Sequence, residues 1–371
     1  MNKRMQIALI SFLLLIFNEI LVGKKALAIP PLSSLKSTYA GKMQYGKTHT
    51  EPKKAAWNFI AKYSPDGFYA LQQYYSAPSE FTIGDMKISL GEHLDYGAYI
   101  PDNSEKDIIR SLSTIVHEVC HGYASRLAWK TLQDQNIAFS FDDGFSYYYL
   151  GDQRSILVQE TPVFKSREID RIFPDSLRTH RYETYIYPSD PMMGTQQKGV
   201  YGLLDELIAY YHGTRMSVDL YEYYKTTTSK SGREWLDYLD GVGSTYFAHK
   251  EFKLYVMQYL MYAEQYQPDM YRELIENEPF VTAFLIVDEK FSNLIQRFFD
   301  QKKELITDLR QRGVDVSEEN DFLFVGLEGR KMFHKESQVL ENELNKVQYL
   351  RLMSRLKERY HKEYDSSETQ D

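Results

Sequence analysis

Two histidines and a glutamate form the part of this sequence best suited to chemistry: the stretch His117–His121 reads His-Glu-Val-Cys-His. Imidazoles four residues apart lie about one turn apart on a helix, so both can bind one metal ion. The glutamate beside the first histidine can then reach a water molecule at that ion and act as general base. The pattern predicts a zinc-dependent hydrolytic site, with His117 and His121 as ligands and Glu118 as base.

The surrounding residues predict an amphipathic helix. Asp102-Asn103-Ser104 offers N-cap residues, and neither a proline nor more than one glycine follows before about Trp129. Apolar residues recur at helical spacing along one side: Ile108, Leu112, Ile115 and Val119. His117 and His121 fall about 180° from that stripe. The helix is therefore expected to bury one side and to present both imidazoles on the other.

A catalytic zinc site normally has three protein ligands, so a third must come from elsewhere in the chain. A third histidine six residues beyond His121 is excluded, because Leu127 stands there and Ala124 replaces the glycine of that pattern. The favoured ligand is Glu206, on a helix predicted to begin near 199–202. Its neighbours Gly202 and Ala209 are small and would permit close approach to the motif helix.

Other carboxylates and a histidine are rivals for this role, and Glu206 could also be an ordinary exposed glutamate. Asp142 and Asp143 follow His121 by about 21 residues, but a turn before Gly144 explains them better. Glu160 and His180 are weaker alternatives.

The motif together with Glu206-Leu207-Ile208-Ala209-Tyr210 resembles the zincin metallopeptidases. More narrowly it resembles gluzincins, in which a helical glutamate, often followed by alanine three residues on, is the third zinc ligand. The resemblance covers two helices. It implies an α+β fold: a zincin-like catalytic region with a small mixed sheet over the motif helix, followed by a largely helical C-terminal part.

Peptide hydrolysis would also need a donor, besides zinc, for the oxyanion of the tetrahedral intermediate. Four side chains remain open for this role: Tyr201, Tyr210, His212 and His180. Tyr201 resembles the position of a transition-state tyrosine in some gluzincins, although the chain contains 31 tyrosines.

Length, charge and cysteine content limit the remaining possibilities. The chain has 371 residues, 43% of them hydrophobic, and a net charge of -8. It can therefore build a large core, and its acidic balance argues against nucleic acid as a partner. Cys120 is the only cysteine, which excludes an intramolecular disulfide. It is interpreted as a buried packing residue rather than a ligand.

The N-terminal residues resemble an export signal. Lys3 and Arg4 precede an apolar run, Ile7–Phe17, and Ala26-Leu27-Ala28 forms a small-residue cleavage site. We expect residues 1–28 to be a signal peptide cleaved after Ala28 and the mature protein to be secreted or periplasmic. An uncleaved anchor is the alternative. No later stretch is long and apolar enough to span a bilayer.

The rest of the chain is divided by composition and periodicity. Residues 29–52 are an extended lead-in, 53–225 the catalytic region and 226–371 a helical region that continues to about Tyr364. Strands are expected at 81–90, 96–100, 154–160 and 183–187, with a hairpin joining 137–141 to 145–150. An apolar stripe through residues 340–360 is interpreted as a docking face within the protein, or alternatively as a helix for a protein partner.

The favoured function is thus an exported zinc endopeptidase acting on a peptide or protein substrate. An alternative is a zincin scaffold used for binding or assembly, with a vestigial or structural metal site. A third possibility is an aminopeptidase or a non-peptide amidase.

Overall fold

The computed structural model describes residues 51–137, 140, 144–179 and 181–364. Within these ranges the protein is mixed α+β: helices predominate, and the strands form three small antiparallel sheets. The fold class predicted from the sequence is confirmed at that level. The predicted mixed sheet is not found among the described residues, because every described strand pair is an antiparallel hairpin. The predicted signal peptide, residues 1–28, and nearly all of the predicted lead-in lie outside the described residues.

The first half of the described chain carries two short helices, two hairpins and the long motif helix. In order these are α1 (Glu51–Tyr63), α2 (Pro65–Ser76), β1 (Glu80–Ile83), β2 (Met86–Ser89), a 3-10 turn (Tyr96–Tyr99), α3 (Glu105–Asp134), β3 (Phe145–Gly151) and β4 (Arg154–Gln159). Two further 3-10 turns (Ser166–Arg171 and Asp175–Leu177) and the short helices α4 (Tyr182–Tyr185) and α5 (Gly194–Gln197) lead to the second long helix, α6 (Gly199–Asp219).

Helix α3 contains the His-Glu-Val-Cys-His motif and begins where the sequence predicts. Ser104 is its N-cap, and the Ser104 hydroxyl accepts a hydrogen bond from the Asp107 backbone N–H at 3.1 Å. The predicted apolar stripe is buried: Ile108, Leu112, Ile115 and Val119. Cys120 is also buried, as expected for a packing residue. The helix ends at Asp134, five residues beyond the predicted end.

Helices α3 and α6 pack closely because a glycine faces the motif. A Cβ at Gly213 would lie 3.0 Å from the Ser113 carbonyl oxygen and 3.2 Å from the Cβ of His117. The Ser113 hydroxyl donates to the Gly213 carbonyl at 2.8 Å. Because α3 and α6 approach closely at Gly213, side chains of α6 can reach the motif histidines.

Several predicted strands before α6 differ from the structure. β3 pairs with β4 through a two-residue turn at Asp152-Gln153, where both residues have the positive φ that a type I′ turn requires. The hairpin expected between 137–141 and 145–150 stays a prediction, because most of 137–143, including Asp142 and Asp143, lies outside the described residues. The segment 96–100 is mainly a 3-10 turn, and 183–187 overlaps the helical turn α4.

The second half is helical except for one small sheet. It comprises α7 (Tyr221–Thr227), α8 (Trp235–Gly243), α9 (Ala248–Tyr266), α10 (Pro268–Glu276), α11 (Glu278–Gln311), β5 (Val316–Glu319), β6 (Phe322–Val325), β7 (Glu328–Lys331), α12 (His334–Leu344) and α13 (Val347–Tyr364). The chain is almost entirely helical to residue 364, as the sequence predicts, and the exception is 316–331. There, three strands form an antiparallel sheet in the order β5-β6-β7.

One apolar core extends through both halves. Buried side chains from Ala56 in α1 to Leu356 in α13 belong to a single cluster. Helix α9 packs on α6, so the second half supports the helix that carries Glu206. The proposed boundary between 225 and 226 stays a prediction.

The stripe through residues 340–360 divides between core and surface. Leu340 and Leu356 are buried, whereas Val347 and Leu350 are exposed on α13. The docking-face interpretation therefore describes part of the stripe, and a protein partner for this segment stays a prediction. None of the helices within the described ranges has the length and hydropathy that crossing a membrane would require.

Candidate metal centre

Three ligand atoms from α3 and α6 converge on one point. The Nε2 atoms of His117 and His121 lie 3.3 Å apart. Oε2 of Glu206 lies 3.8 Å from Nε2 of His117 and 3.6 Å from Nε2 of His121. The three residues are the single group in the described chain with the spacing to hold a metal ion. The structure thus brings together all three ligands that the sequence predicts.

The distance between the two imidazole nitrogens fits a tetrahedral zinc ion, and the two distances to Oε2 of Glu206 are slightly longer than such an ion requires. Zinc bonds of about 2.0–2.2 Å at tetrahedral angles place neighbouring ligand atoms about 3.3–3.5 Å apart. Two imidazoles and a carboxylate are also a donor set that zinc accepts in catalytic sites. Oε2 of Glu206 is buried and has no hydrogen-bond partner within the described residues, although a buried carboxylate oxygen normally has one. A cation between the three ligand atoms would satisfy it.

Outer partners orient both imidazoles. Oδ2 of Asp205 lies 2.7 Å from Nδ1 of His121, and the His117 ring hydrogen-bonds the backbone carbonyl of Ala209. With Nδ1–H donating to Asp205, Nε2 of His121 is the nitrogen that would give up its proton and donate its electron pair to a metal ion. Such partners fix the tautomer and the direction of ligating histidines.

The electrostatic environment of the centre is strongly acidic. Burial raises the pKa of Glu206 to about 7, and the carboxylates of Asp205 and Glu118 add to this effect while His121 opposes it. Burial disfavours a charged His121, but the carboxylates of Asp205, Glu206 and Glu118 outweigh it and raise the pKa of His121 to about 10. Burial lowers the pKa of His117 well below its ordinary value. Three carboxylates around two imidazoles favour a divalent cation.

Access to the centre is partial. The side chains of His121 and Asp205 are 27% and 31% exposed, whereas those of His117 and Glu206 are 15% and 13% exposed. The less exposed ligands, His117 and Glu206, would hold a metal ion on its buried side, and the ion would be open to solvent on the side of His121.

The general base has a hydrogen-bond partner that the sequence did not indicate. The hydroxyl of Tyr99, in the 3-10 turn before α3, donates to the carboxylate of Glu118. The turn itself is tied to α3, since the Ser111 hydroxyl donates to the Tyr99 carbonyl at 2.9 Å. Tyr99 therefore limits the directions in which the Glu118 carboxylate can point.

The four predicted oxyanion donors have different positions. The Tyr210 ring lies 4.7 Å from the His117 ring, centroid to centroid, so Tyr210 is beside the centre. Tyr201 is buried and its hydroxyl oxygen accepts hydrogen bonds from the Thr161 backbone and the Asn277 side chain. His212 is buried, and its Nε2 bonds the Tyr149 carbonyl at 2.9 Å. His180 lies outside the described residues.

The placement of Tyr201 and His212 argues against their proposed role as oxyanion donors. Both project from α6 on sides different from that of Glu206, and both are engaged in the core. Among the rival ligands, Glu160 is bound to the Lys198 ammonium at 2.7 Å and to the Ser146 hydroxyl at 2.6 Å. It does not belong to the His117–His121–Glu206 group.

Two further side chains complete the surroundings of the centre. Tyr185, in α4, hydrogen-bonds the Glu206 carboxylate, and its hydroxyl lies 3.1 Å from that of Tyr210. Asp205 could have been inferred from its position directly before Glu206. Tyr185 could not, because its segment was predicted as a strand.

Comparison of the chain with protein-family models, with curated proteins and with solved structures finds no match.

Proposed function

We propose that this protein is a zinc-dependent hydrolase of peptide bonds, with internal bonds of peptides or proteins as its targets. The observation that carries the proposal is the convergence of His117 Nε2, His121 Nε2 and Glu206 Oε2, with the Glu118 carboxylate directly beside them in sequence. Zinc bound by these atoms would polarise the substrate carbonyl and lower the pKa of a water molecule.

Glu118 then acts as the base. Its carboxylate accepts a proton from the attacking water and returns that proton to the leaving amine nitrogen. Tyr99 supports this role, because its hydroxyl holds one orientation of the carboxylate. Tyr210 is the favoured oxyanion donor of the original four, since it alone of the three described candidates lies beside a ligand histidine.

A catalytic site is favoured over a structural one by the number of ligands. Structural zinc sites are usually closed by four protein ligands, whereas catalytic sites keep one position open. The described residues offer three ligand atoms. Asp205, the nearest further carboxylate, is committed to Nδ1 of His121. This arrangement supports hydrolysis over the alternative of a binding or assembly scaffold.

Export of the enzyme remains part of the proposal. The basic residues, apolar run and Ala-Leu-Ala site within 1–28 support secretion or delivery to the periplasm.

The test begins with metal content and cleavage. Purified protein should hold about one zinc per chain, measured by inductively coupled plasma mass spectrometry, and should cleave members of a broad peptide library. Glu118→Gln should retain the zinc and lose at least a hundred-fold in kcat/KM, since the base is gone. Glu105→Gln is the matched control, because Glu105 is an exposed glutamate on the same helix.

The alternatives give different results. A protein that binds zinc but cleaves no peptide would favour the binding scaffold. A protein that binds no zinc would overturn the metal centre itself, and cleavage unaffected by Glu118→Gln would overturn the assigned base.

A further inference from the structure

A buried arginine lies behind the metal centre without touching the three ligand atoms. The Arg181 side chain is 6% exposed and forms an ion pair of 2.6 Å with Glu251, which is fully buried in α9. Its second terminal nitrogen donates to the Ser244 carbonyl at 2.7 Å. The guanidinium also lies between two aromatic rings, 4.7 Å from the centroid of Tyr210 and 4.9 Å from that of Phe247.

Such a pair is not needed for stability alone. Removing two charges from water is costly, and well-packed apolar residues often stabilise a core as well as a buried ion pair does. The arrangement therefore calls for a second reason, and the contacts of Arg181 on the side of α6 supply one.

Those contacts lead to two of the three metal ligands. The Arg181 guanidinium lies over the Tyr210 ring, and that ring lies edge-on to the ring of His117 at 4.7 Å between centroids. The Tyr210 hydroxyl lies 3.1 Å from the Tyr185 hydroxyl, and Tyr185 hydrogen-bonds the carboxylate of Glu206. Arg181, Tyr210 and Tyr185 are thus consecutive members of one contact chain.

The contact chain restrains the two ligand side chains, His117 and Glu206, whose orientation a bound metal ion would depend on. The Tyr210 ring limits rotation of the His117 imidazole. Tyr185 engages the Glu206 carboxylate while Oε2 faces the two imidazoles without a hydrogen-bond partner of its own. Partners of this kind tune metal affinity because they hold the ligands in the geometry that the ion requires.

We propose that Arg181 is a positioning residue for the metal centre, fixing His117 and Glu206 through Tyr210 and Tyr185. The proposal rests on the proposed metal centre but not on peptide hydrolysis. It predicts that Arg181 sets zinc affinity and coordination geometry, although it contacts neither the ion nor the substrate.

The chain offers a matched control on the opposite side of α6. Arg215 is also partly buried, pairs with the carboxylate of Asp66, and contacts a tyrosine hydroxyl, that of Tyr211, at 3.0 Å. Arg215 lies nine residues after Glu206, which places it about 180° around the helix. Its loss should therefore disturb the fold without reaching the metal ligands.

The experiment compares Arg181→Met with Arg215→Met in the full protein. Zinc affinity is measured by chelator competition, ligand geometry by the visible absorption of the cobalt-substituted protein, and stability by urea unfolding of the metal-free protein. Both variants should be less stable than wild type. Only Arg181→Met should bind zinc 10–100-fold more weakly and change the cobalt spectrum.

Two further variants separate positioning from general damage. Arg181→Met combined with Glu251→Leu removes both buried charges, which keeps the core folded if the single variant fails to fold. Tyr185→Phe removes only the hydroxyl that reaches Glu206. Both should weaken zinc binding. The proposal is overturned if the double variant or Tyr185→Phe binds zinc as tightly as Arg215→Met, with an unchanged cobalt spectrum. Absence of zinc binding by wild type would instead overturn the centre itself.

Discussion

Two pairs of helices in this protein place a histidine against a carboxylate at the same distance. In α3 and α6, His121 lies 2.7 Å from Asp205; in α9 and α11, His249 lies 2.7 Å from Asp288. Both helices that carry the histidine also carry a second nitrogen-bearing side chain four residues away. In α3 it is His117, before His121, and in α9 it is Lys253, after His249.

The charge balance of the two clusters differs. Oδ1 of Asp288 hydrogen-bonds Nε2 of His249, and Oδ2 accepts a hydrogen bond from the Lys253 ammonium at 2.6 Å. Both carboxylate oxygens of Asp288 therefore have a partner. In the metal centre two imidazoles face one another, and Oε2 of Glu206 remains without a hydrogen-bond partner in the described chain. Lys253 supplies a positive charge in the cluster of α9 and α11, whereas in the cluster of α3 and α6 we propose that a metal ion supplies it. Spacing on a helix alone does not distinguish a structural cluster from a metal site.

The largest effect expected from this difference is the loss of zinc from Glu206→Gln. Zinc sites are worth roughly 10–16 kcal/mol in all, so one ligand of three or four accounts for about 4 kcal/mol, on the order of a thousand-fold in affinity. Chelator competition measures the change, with exposed Glu222 replaced by Gln as control. An affinity within ten-fold of wild type would exclude Glu206 as a ligand.

The same substitution should leave the metal-free protein at least as stable as wild type. Burial raises the pKa of Glu206 to about 7, so its ionised form is disfavoured in the fold. Glutamine removes that charge. Urea unfolding in the presence of a chelator at pH 8 measures this, and a large loss of stability would mean that the carboxylate has a structural partner.

In the cluster of His249, Asp288 and Lys253, replacing the carboxylate should lower the stability of the protein and leave its zinc affinity unchanged. Asp288→Asn leaves the Lys253 ammonium without its anion, and breaking a buried pair costs about 3 kcal/mol when one partner keeps some exposure. Zinc affinity should not change. Asp300→Asn is the control, because Asp300 is exposed on the same helix and should stay within about 0.5 kcal/mol of wild type. If Asp288→Asn and Asp300→Asn lower the stability equally, the Asp288 ion pair is not a stabilising cluster, and it does not differ from the metal centre in the way described.

Asp205→Asn tests the partner of His121 directly. The amide cannot accept the Nδ1 proton as strongly as the carboxylate does, so the imidazole is held less firmly and is a weaker donor. Zinc affinity should fall 10–100-fold, less than for Glu206→Gln. The same measurement on Asp190→Asn, an exposed aspartate in the loop before α5, should give the wild-type value. An unchanged affinity would show that His121 needs no carboxylate partner.

The helical geometry of the site could be predicted because it depends on short-range spacing. His117, Glu118 and His121 share one face of α3, and Glu206 was recognisable by its small neighbours. The same reasoning could have gone further on α6: Tyr210 follows Glu206 by one turn, whereas Tyr201 lies about 140° away from it. The structure buries Tyr201 accordingly.

What the sequence missed depends on contacts between distant segments. Tyr185 belongs to a four-residue helix, and nothing local distinguishes that segment from a short strand. The sheet β5–β7 does have a local sequence signal, the turn between β5 and β6. Asn320-Asp321, both with positive φ, joins the strands β5 and β6, as a type I′ hairpin turn does. The turn that joins β3 to β4 is Asp152-Gln153, which is a weaker hairpin signal in the sequence than Asp142-Asp143-Gly144.

The smallest effect expected is the pH dependence of the second cluster. Burial alone would raise the pKa of Asp288, but the hydrogen bonds and charges of His249 and Lys253 outweigh it and lower the pKa to about 2. An unfolded aspartate titrates near 3.9. Because the folded value is the lower one, the ionised carboxylate adds stability that is present above about pH 4 and is lost as the pH falls towards 2.

Wild type and Asp288→Asn should therefore converge in acid. Their difference in unfolding free energy should shrink by roughly 2 kcal/mol between pH 4 and pH 2, because the wild-type side chain becomes neutral over that range. Urea unfolding of the metal-free proteins at intervals across the range measures this, with Asp300→Asn expected to run parallel to wild type. A difference that stays constant down to pH 2 would mean that Asp288 contributes by shape and hydrogen bonding rather than by charge.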